Sequence, residues 1–495
     1  MLNANKLINS AFFSVAAKLL GKTLGLISTV IVARILTPED FGFIAIVSMA
    51  LYFFDILSHA AGEQYIIQKG RVAFYDLHTA WTLNLVLKVL IAIGLVISAG
   101  SVSLFFDKPQ LSSAIMFSAT ILPLQALKSH KIMLLKRQLR FKPLFWLSFL
   151  ERFFALPVLI TLAILVGDYW AFLITDVMVA MFGLLLSFFM LKGMPRLTLR
   201  CVGKQWRFSQ WMLGKHLLGY ARSQIDTLVV AKVFNASMLG NYHMARDLAM
   251  MPAHYILSPA IEPLLAVLKN DRANKRELLN NVAFALLVVV SISLPILAVL
   301  ALYSKPIVYV LLGEKWHMAA QLLPVLSILF FYWCIVQVLD AALIALDKVQ
   351  FLFLFDLASL MVVALTLMMG IFYNATLLEL AWYRALSGLF TACVLLIWVF
   401  IGHWNLLKAL LMLVTIVVAL AALALSMVWL TGFNEFSSAS VSISYILQTG
   451  VSLAAFSFIY TALFLLFLTK SKHYHIVRLK QLVALYLPTS LARKF

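Results

Sequence analysis

Val32-Ala33-Arg34-Ile35-Leu36-Thr37-Pro38-Glu39-Asp40-Phe41-Gly42 returns as Val230-Ala231-Lys232-Val233-Phe234-Asn235-Ala236-Ser237-Met238-Leu239-Gly240, at an offset of 198 residues and without a gap. Each copy closes one apolar run with a cation near its end, turns at a helix-capping Thr37 or Asn235, and meets a glycine where the next run begins. Chance similarity between two apolar segments is the competing explanation. What lies between the copies decides between them.

Outward from these turns the chain is a series of apolar runs. It is 63% hydrophobic and only 12% charged over 495 residues, with a mean hydropathy of +0.99, which leaves too little charge to clothe a soluble domain. Runs long enough to span lipid are expected near 11–35, 41–61, 81–105, 111–128, 143–166, 169–191, 209–234, 238–262, 279–303, 319–346, 350–373, 377–401, 406–430 and 446–469. The fold class predicted is therefore all-α integral membrane, with about 14 transmembrane helices. Six expected spans separate the repeated turns, and an even number preserves orientation. The two six-helix lobes are then parallel repeats related by an axis along the membrane normal, a plan used by transporters that rock two lobes about a central site. The expected divisions are an N-lobe over 1–200, a C-lobe over 201–403, a helix pair over 404–470 and a basic tail over 471–495. The first run lacks a short h-region and cleavage site, so it reads as a retained span.

The net charge of +19 is distributed by topology. Alternate loops carry Lys69 and Arg71; Lys128, Lys131, Lys136, Arg137, Arg140 and Lys142; Lys192, Arg196, Arg200, Lys204 and Arg207; Lys269, Arg272, Lys275 and Arg276; Lys348; and Lys408. The intervening loops hold only Lys108, Lys305 and Lys315. This positive-inside alternation places both termini in the cytoplasm, and assigns the basic loops to orientation and membrane-lipid contact rather than nucleic acid.

Ionisable residues inside the apolar runs are costly and need a partner or a water-filled cavity. The substrate-binding candidates are Lys18, Lys22, Lys88, Arg152, Lys215, Arg222, Arg246 and Arg384. Lys18 and Lys22 share a helix face with Gly25 and Thr29, and Lys215, Gly219, Arg222 and Asp226 form a similar stripe. A cationic cavity suits an anionic ligand, to which Arg offers bidentate donors and Lys a point charge. The alternative is structural: Arg222 is spaced to pair with Asp226, and Glu151 lies beside Arg152. Asp55, Asp176, Asp226, Asp247, Asp340 and Asp356 are candidates for Na+ or H+ coupling or for counter-charge, with His59 and Glu63 on the face of Asp55. Pro252, Pro259 and Pro263 predict bends in the eighth span. The scattered Cys201, Cys334 and Cys393 and the ten histidines show no metal-ligand spacing, and no Walker A motif occurs. No cofactor and no enzymatic activity are expected, because the short loops leave no room for a catalytic constellation.

The run Ala33-Arg34-Ile35-Leu36-Thr37-Pro38-Glu39-Asp40-Phe41-Gly42-Phe43-Ile44-Ala45, with Gly240-Asn241-Tyr242-His243-Met244-Ala245 and Leu312-Gly313-Glu314-Lys315-Trp316, resembles the polysaccharide-repeat (Wzx-type) flippases. These belong to the multidrug/oligosaccharidyl-lipid/polysaccharide exporter superfamily. The resemblance covers roughly residues 5–400. It implies a V-shaped pair of six-helix bundles that moves an undecaprenyl-diphosphate-linked oligosaccharide between leaflets for lipopolysaccharide O-antigen, capsule or exopolysaccharide, beside a polymerase and assembly proteins. The extra pair from Leu406 to Leu468 looks like the fourteen-helix members, among them lipid II flippases. A drug/cation antiporter is less suited to a cavity dominated by cations, and a non-transporting scaffold predicts that loops matter more than the buried charges.

Overall fold

The computed structural model describes the backbone of residues 4–58, 65–66, 72–261, 264, 268, 274–430, 443–471 and 474–484. Among the described residues the regular elements are all helical. In chain order they are α1 (Ala4–Ile35), α2 (Pro38–Ser58), α3 (Phe74–Phe105), α4 (Leu111–Ser118), α5 (Ile121–Ala126), α6 (Lys131–Arg137), α7 (Phe141–Val166), α8 (Trp170–Met190), α9 (Val202–Val233) and α10 (Ala236–Pro252). After a π-helical turn (Ala253–Leu257) and a short helix (Ser258–Ile261) come α11 (Lys275–Leu302), α12 (Ser304–Leu311), α13 (His317–Ala345), α14 (Val349–Phe372), α15 (Leu377–Val399), α16 (Trp404–Leu430), α17 (Ile443–Lys470) and α18 (Tyr474–Ala484). Helix, whole or in pieces, occupies each of the fourteen expected runs. Among the described residues ten helices are long and apolar enough to cross a membrane, or eleven if the bent piece from Leu111 to Arg137 is one span.

The interruptions have local causes. Pro123 lacks an N–H and crowds the Ala119 carbonyl, so the fourth run breaks between α4 and α5. α6 then leaves at 63° to the pair before it. Pro252 similarly precedes the π-helical turn in the eighth run. Pro263 lies outside the described residues, as do His59 and Glu63.

Contacts divide the chain into two compact units, Met1–Met244 and Ala245–Phe495. In the first, α1 lies along α7, α7 along α8, α3 against α4 and α5, and α9 against α2 and α3. The Tyr220 hydroxyl on α9 donates to the Met49 carbonyl of α2 at 2.7 Å, between the rings of Tyr52 and Phe53.

The second unit is built on α11 and α13, whose Leu279, Val282, Leu286, Phe330, Cys334 and Ala342 share one core with Leu395 and Val399 of α15. On α16, Ala421, Ala424 and Val428 pack against Phe456 and Tyr460 of α17. The Tyr460 hydroxyl donates to the Ser291 carbonyl on α11 at 2.8 Å, so the extra helix pair is fastened to the core of its own unit. The segment expected to be a basic tail starts with a docked helix, α18. Its Ile476 and Leu479 are buried, and Arg478 reaches Asn281 and covers the Phe284 ring.

The repeated turns are symmetric in three dimensions. Thr37 Oγ1 accepts from the Asp40 N–H and Asn235 Oδ1 from the Met238 N–H, the same cap at corresponding positions. Val32, Ala33, Val230 and Ala231 are all fully buried. Both helices begin earlier than the runs predict, because Pro38 and Ala236 occupy the first helical position, where Pro costs nothing. Gly42 and Gly240 therefore sit a full turn inside. A Cβ at Gly42 would overlap the Ala236 carbonyl, and one at Gly240 would overlap the Pro38 carbonyl. Since Pro38 corresponds to Ala236, the contact is reciprocal: each glycine receives the first turn of the other copy, as across a two-fold axis.

Candidate functional site

The charged residues inside the helices fall into small groups. Lys88 of α3 pairs with Asp55 of α2 at 2.9 Å and its Nζ also donates to Gln125 Oε1 of α5 at 3.3 Å. Both side chains are largely enclosed, so losing one partner would leave a poorly solvated charge. A cation candidate and an acid candidate thus neutralise each other across two helices, a pairing that spacing along one helix cannot reveal.

Arg152 on α7 is exposed, and its charge acts on Asp176 of α8. Glu151, read in sequence beside Arg152, instead pairs with Lys128 at 2.7 Å. Gly183 of α8 makes room for that pair, since a Cβ there would strike both partners. Asp226 on α9 is fully buried and accepts from the Tyr242 hydroxyl of α10 at 2.9 Å. It also accepts from the Thr227 N–H at 2.9 Å. Arg222 is half-buried one turn earlier on α9.

In the second unit, Arg246 and Asp247 are neighbours on α10, half-buried and exposed respectively; Asp247 acts on Tyr255 in the π-helical turn. Asp340 of α13 and Asp356 of α14 are half-buried. Arg384 of α15 is buried. Its Nη1 donates to the Tyr332 hydroxyl of α13 at 2.6 Å, and its guanidinium lies 5.9 Å from the centre of that ring. Tyr332 fits because residue 388 is glycine, where any Cβ would meet the ring. The side chains of Lys18, Lys22 and Lys215 lie outside the described residues.

Sequence reading missed the neutral partners, Gln125, Tyr242 and Tyr332. Each lies on a different helix from the charge it serves, and only a tyrosine or glutamine inside an apolar run hints at the role. Chemically, the arrangement can present cations to an anion while keeping acids close enough to limit their insertion cost. Among the described residues no group of three or more His, Cys, Asp or Glu is placed to hold a metal ion.

A model of the polysaccharide biosynthesis protein family matches residues 31–321, more than half the chain. The chain belongs to that family. Among similar proteins is the lipopolysaccharide biosynthesis protein WzxC of Escherichia coli, 24% identical over 68% of this chain and 67% of its own length. Another is the succinoglycan biosynthesis transport protein ExoT of Rhizobium meliloti, also 24% identical, over 66% and 67%. The lipid II flippase MurJ shares the fold, with a TM-score of 0.69 over 92% of this chain and 99% of that one at 12% identity. The resemblance carried by Ala33–Ala45 is thereby sustained. This family member is a multi-pass membrane protein that has the fold of the solved flippase.

Proposed function

We propose that the protein carries an undecaprenyl-diphosphate-linked oligosaccharide repeat across the bacterial inner membrane for surface polysaccharide assembly, with both termini in the cytoplasm. The observation that carries this reading is the reciprocal meeting of the two repeated turns at Gly42 and Gly240, in a chain of the polysaccharide biosynthesis family. Repeated turns in reciprocal contact give parallel repeats a point about which to rock, the movement alternating access needs. Lys88, Arg152, Arg222, Arg246 and Arg384, with Lys18, Lys22 and Lys215, attract the diphosphate; the prenyl chain stays in lipid. Asp55 and Asp176 supply counter-charge, and an acid freed by cargo binding is the place for proton or sodium coupling. Downstream partners are the polymerase and assembly proteins that consume the repeat.

The test uses purified full-length protein in vesicles with a fluorescent undecaprenyl-diphosphate oligosaccharide and an impermeant quencher. Protein-containing vesicles are expected to expose inner-leaflet cargo many times faster than protein-free ones, and the Lys88→Met/Arg384→Met variant to lose most of that rate. No acceleration with the oligosaccharide cargo, or acceleration only with lipid II, would overturn the cargo assignment. Retained rate in the double variant would overturn the role of the cations.

A further inference from the structure

The segment joining α8 to α9, Lys192-Gly193-Met194-Pro195-Arg196-Leu197-Thr198-Leu199-Arg200, is an extended strap laid across the beginning of α3. Its backbone is fixed at several points. The Arg196 N–H donates to His78 Nδ1 at 3.0 Å, the Thr198 N–H to Thr82 Oγ1 at 3.1 Å, and Lys131 Nζ to the Lys192 carbonyl. Gln205 Nε2, just beyond the strap, donates to the Asp76 carbonyl at 2.9 Å.

A segment held this firmly would be expected to turn its apolar side chains inward. It does the opposite. Met194 is 86% exposed, Leu197 74% and Leu199 53%. Beside them stand Arg196 and Arg200, whose guanidinium carbons lie 5.7 Å and 4.6 Å from the ring centres of Phe74 and Tyr75. Both rings are themselves exposed and open a 32-residue apolar helix, the level of the aromatic belt in a spanning helix. Among the described residues no carboxylate lies within ion-pair distance of either guanidinium. Stacking holds the two charges at a set height and leaves their donors pointing to whatever faces the strap.

We infer that the strap and the first turn of α3 form a docking surface for anionic phospholipid, with Met194, Leu197 and Leu199 entering the acyl boundary and Arg196 and Arg200 holding the headgroup phosphates. Charge complementarity and the interfacial aromatics select this partner: exposed leucine and methionine beside arginines that have no carboxylate partner among the described residues are costly in water and favourable at a headgroup layer. The inference needs only that α3 spans the membrane. It does not depend on the cargo.

The experiment labels full-length protein at Leu197→Cys, in a Cys201→Ser/Cys393→Ser background, with an environment-sensitive fluorophore. The protein is reconstituted in vesicles carrying spin-labelled phosphatidylglycerol or phosphatidylcholine as quencher. Quenching is expected to favour phosphatidylglycerol by about 25-fold, and that preference should fall about fivefold for each arginine lost in Arg196→Gln and Arg200→Gln. The Arg196→Lys/Arg200→Lys variant, which keeps charge without the planar stack, should retain part of it. Equal quenching by the two lipids, or none by either, would overturn the inference. So would displacement of phosphatidylglycerol by a few per cent of undecaprenyl diphosphate, which would make the surface a cargo-docking site.

Discussion

The two copies of the turn share a backbone and differ in almost every polar interaction that supports it. In the first copy, Asp40 accepts from the Thr37 N–H and hydroxyl at 2.9 and 2.6 Å, and its other oxygen accepts from the Tyr169 N–H at 3.2 Å. In the second, Met238 replaces Asp40, and support comes from elsewhere. Asp226 and Tyr242 bond across the helix pair, where the first copy has Ser28 and Ile44. Lys232 pairs with Asp107 at 2.7 Å while Lys108 donates to the Ala231 carbonyl at 3.2 Å. Cap and glycine are retained because backbone geometry allows no substitute. Polar support diverged because many side chains can supply it.

The glycines should be the point at which both copies break. Gly42→Leu or Gly240→Leu forces a side chain into backbone, which cannot yield as a flexible side chain can. Folded, monodisperse protein is expected to fall more than about tenfold by size-exclusion chromatography. Gly94→Leu, which meets open space, should purify normally. If both turn variants also purify normally, the reciprocal contact is not what holds the copies together.

The Asp226–Tyr242 bond, present in the second copy alone, is the next largest effect. Tyr242→Phe leaves a fully buried carboxylate short of a donor and should cost about 1–3 kcal/mol in thermal or denaturant unfolding. Installing the first copy's residues together, Asp226→Ser with Tyr242→Ile, removes the buried charge and should recover part of that loss. A double variant worse than the single one would show that the bond is not the source of the effect.

Caps come third. Thr37→Ala should cost about 1 kcal/mol, because it removes the hydroxyl from both the Asp40 N–H and carboxylate, and Asn235→Ala about the same or less. A larger loss at Asn235 would reverse the order of support inferred for the copies.

The smallest effect belongs to the exposed Lys232–Asp107 pair. Its hydrogen bond to Lys232, and then the charges of Lys232 and Lys108, hold the Asp107 carboxyl below the usual range. The pair's contribution is thus complete above the ordinary carboxylate pKa of about 4 and disappears as the pH falls through the lower folded value. Asp107→Asn should change the unfolding midpoint only slightly at neutral pH, and salt should erase the difference. A salt-independent loss would place the pair in a drier setting than its exposure allows.

Much of this was legible in the chain. Hydropathy and loop charge are properties of single segments, so they revealed the helices and predicted their orientation, while residue-by-residue matches revealed the repeat and the family resemblance. The caps at Thr37 and Asn235 were readable because a cap acts within four residues. The charged site was less so. Lys88 found Asp55 and Arg384 found Tyr332 across helices, Glu151 found Lys128 in the turn after α5, and no spacing rule along one helix encodes which face meets which.

The sequence by itself determined that this is a helical membrane protein with a repeated turn, because lipid permits few solutions and an apolar run of sufficient length takes one of them. Only the tertiary structure decided why that turn is kept. Gly42 and Gly240 look like ordinary helix-start glycines until the first turns of the two copies are seen crossing, where the carbonyls of Pro38 and Ala236 occupy the space any side chain would need.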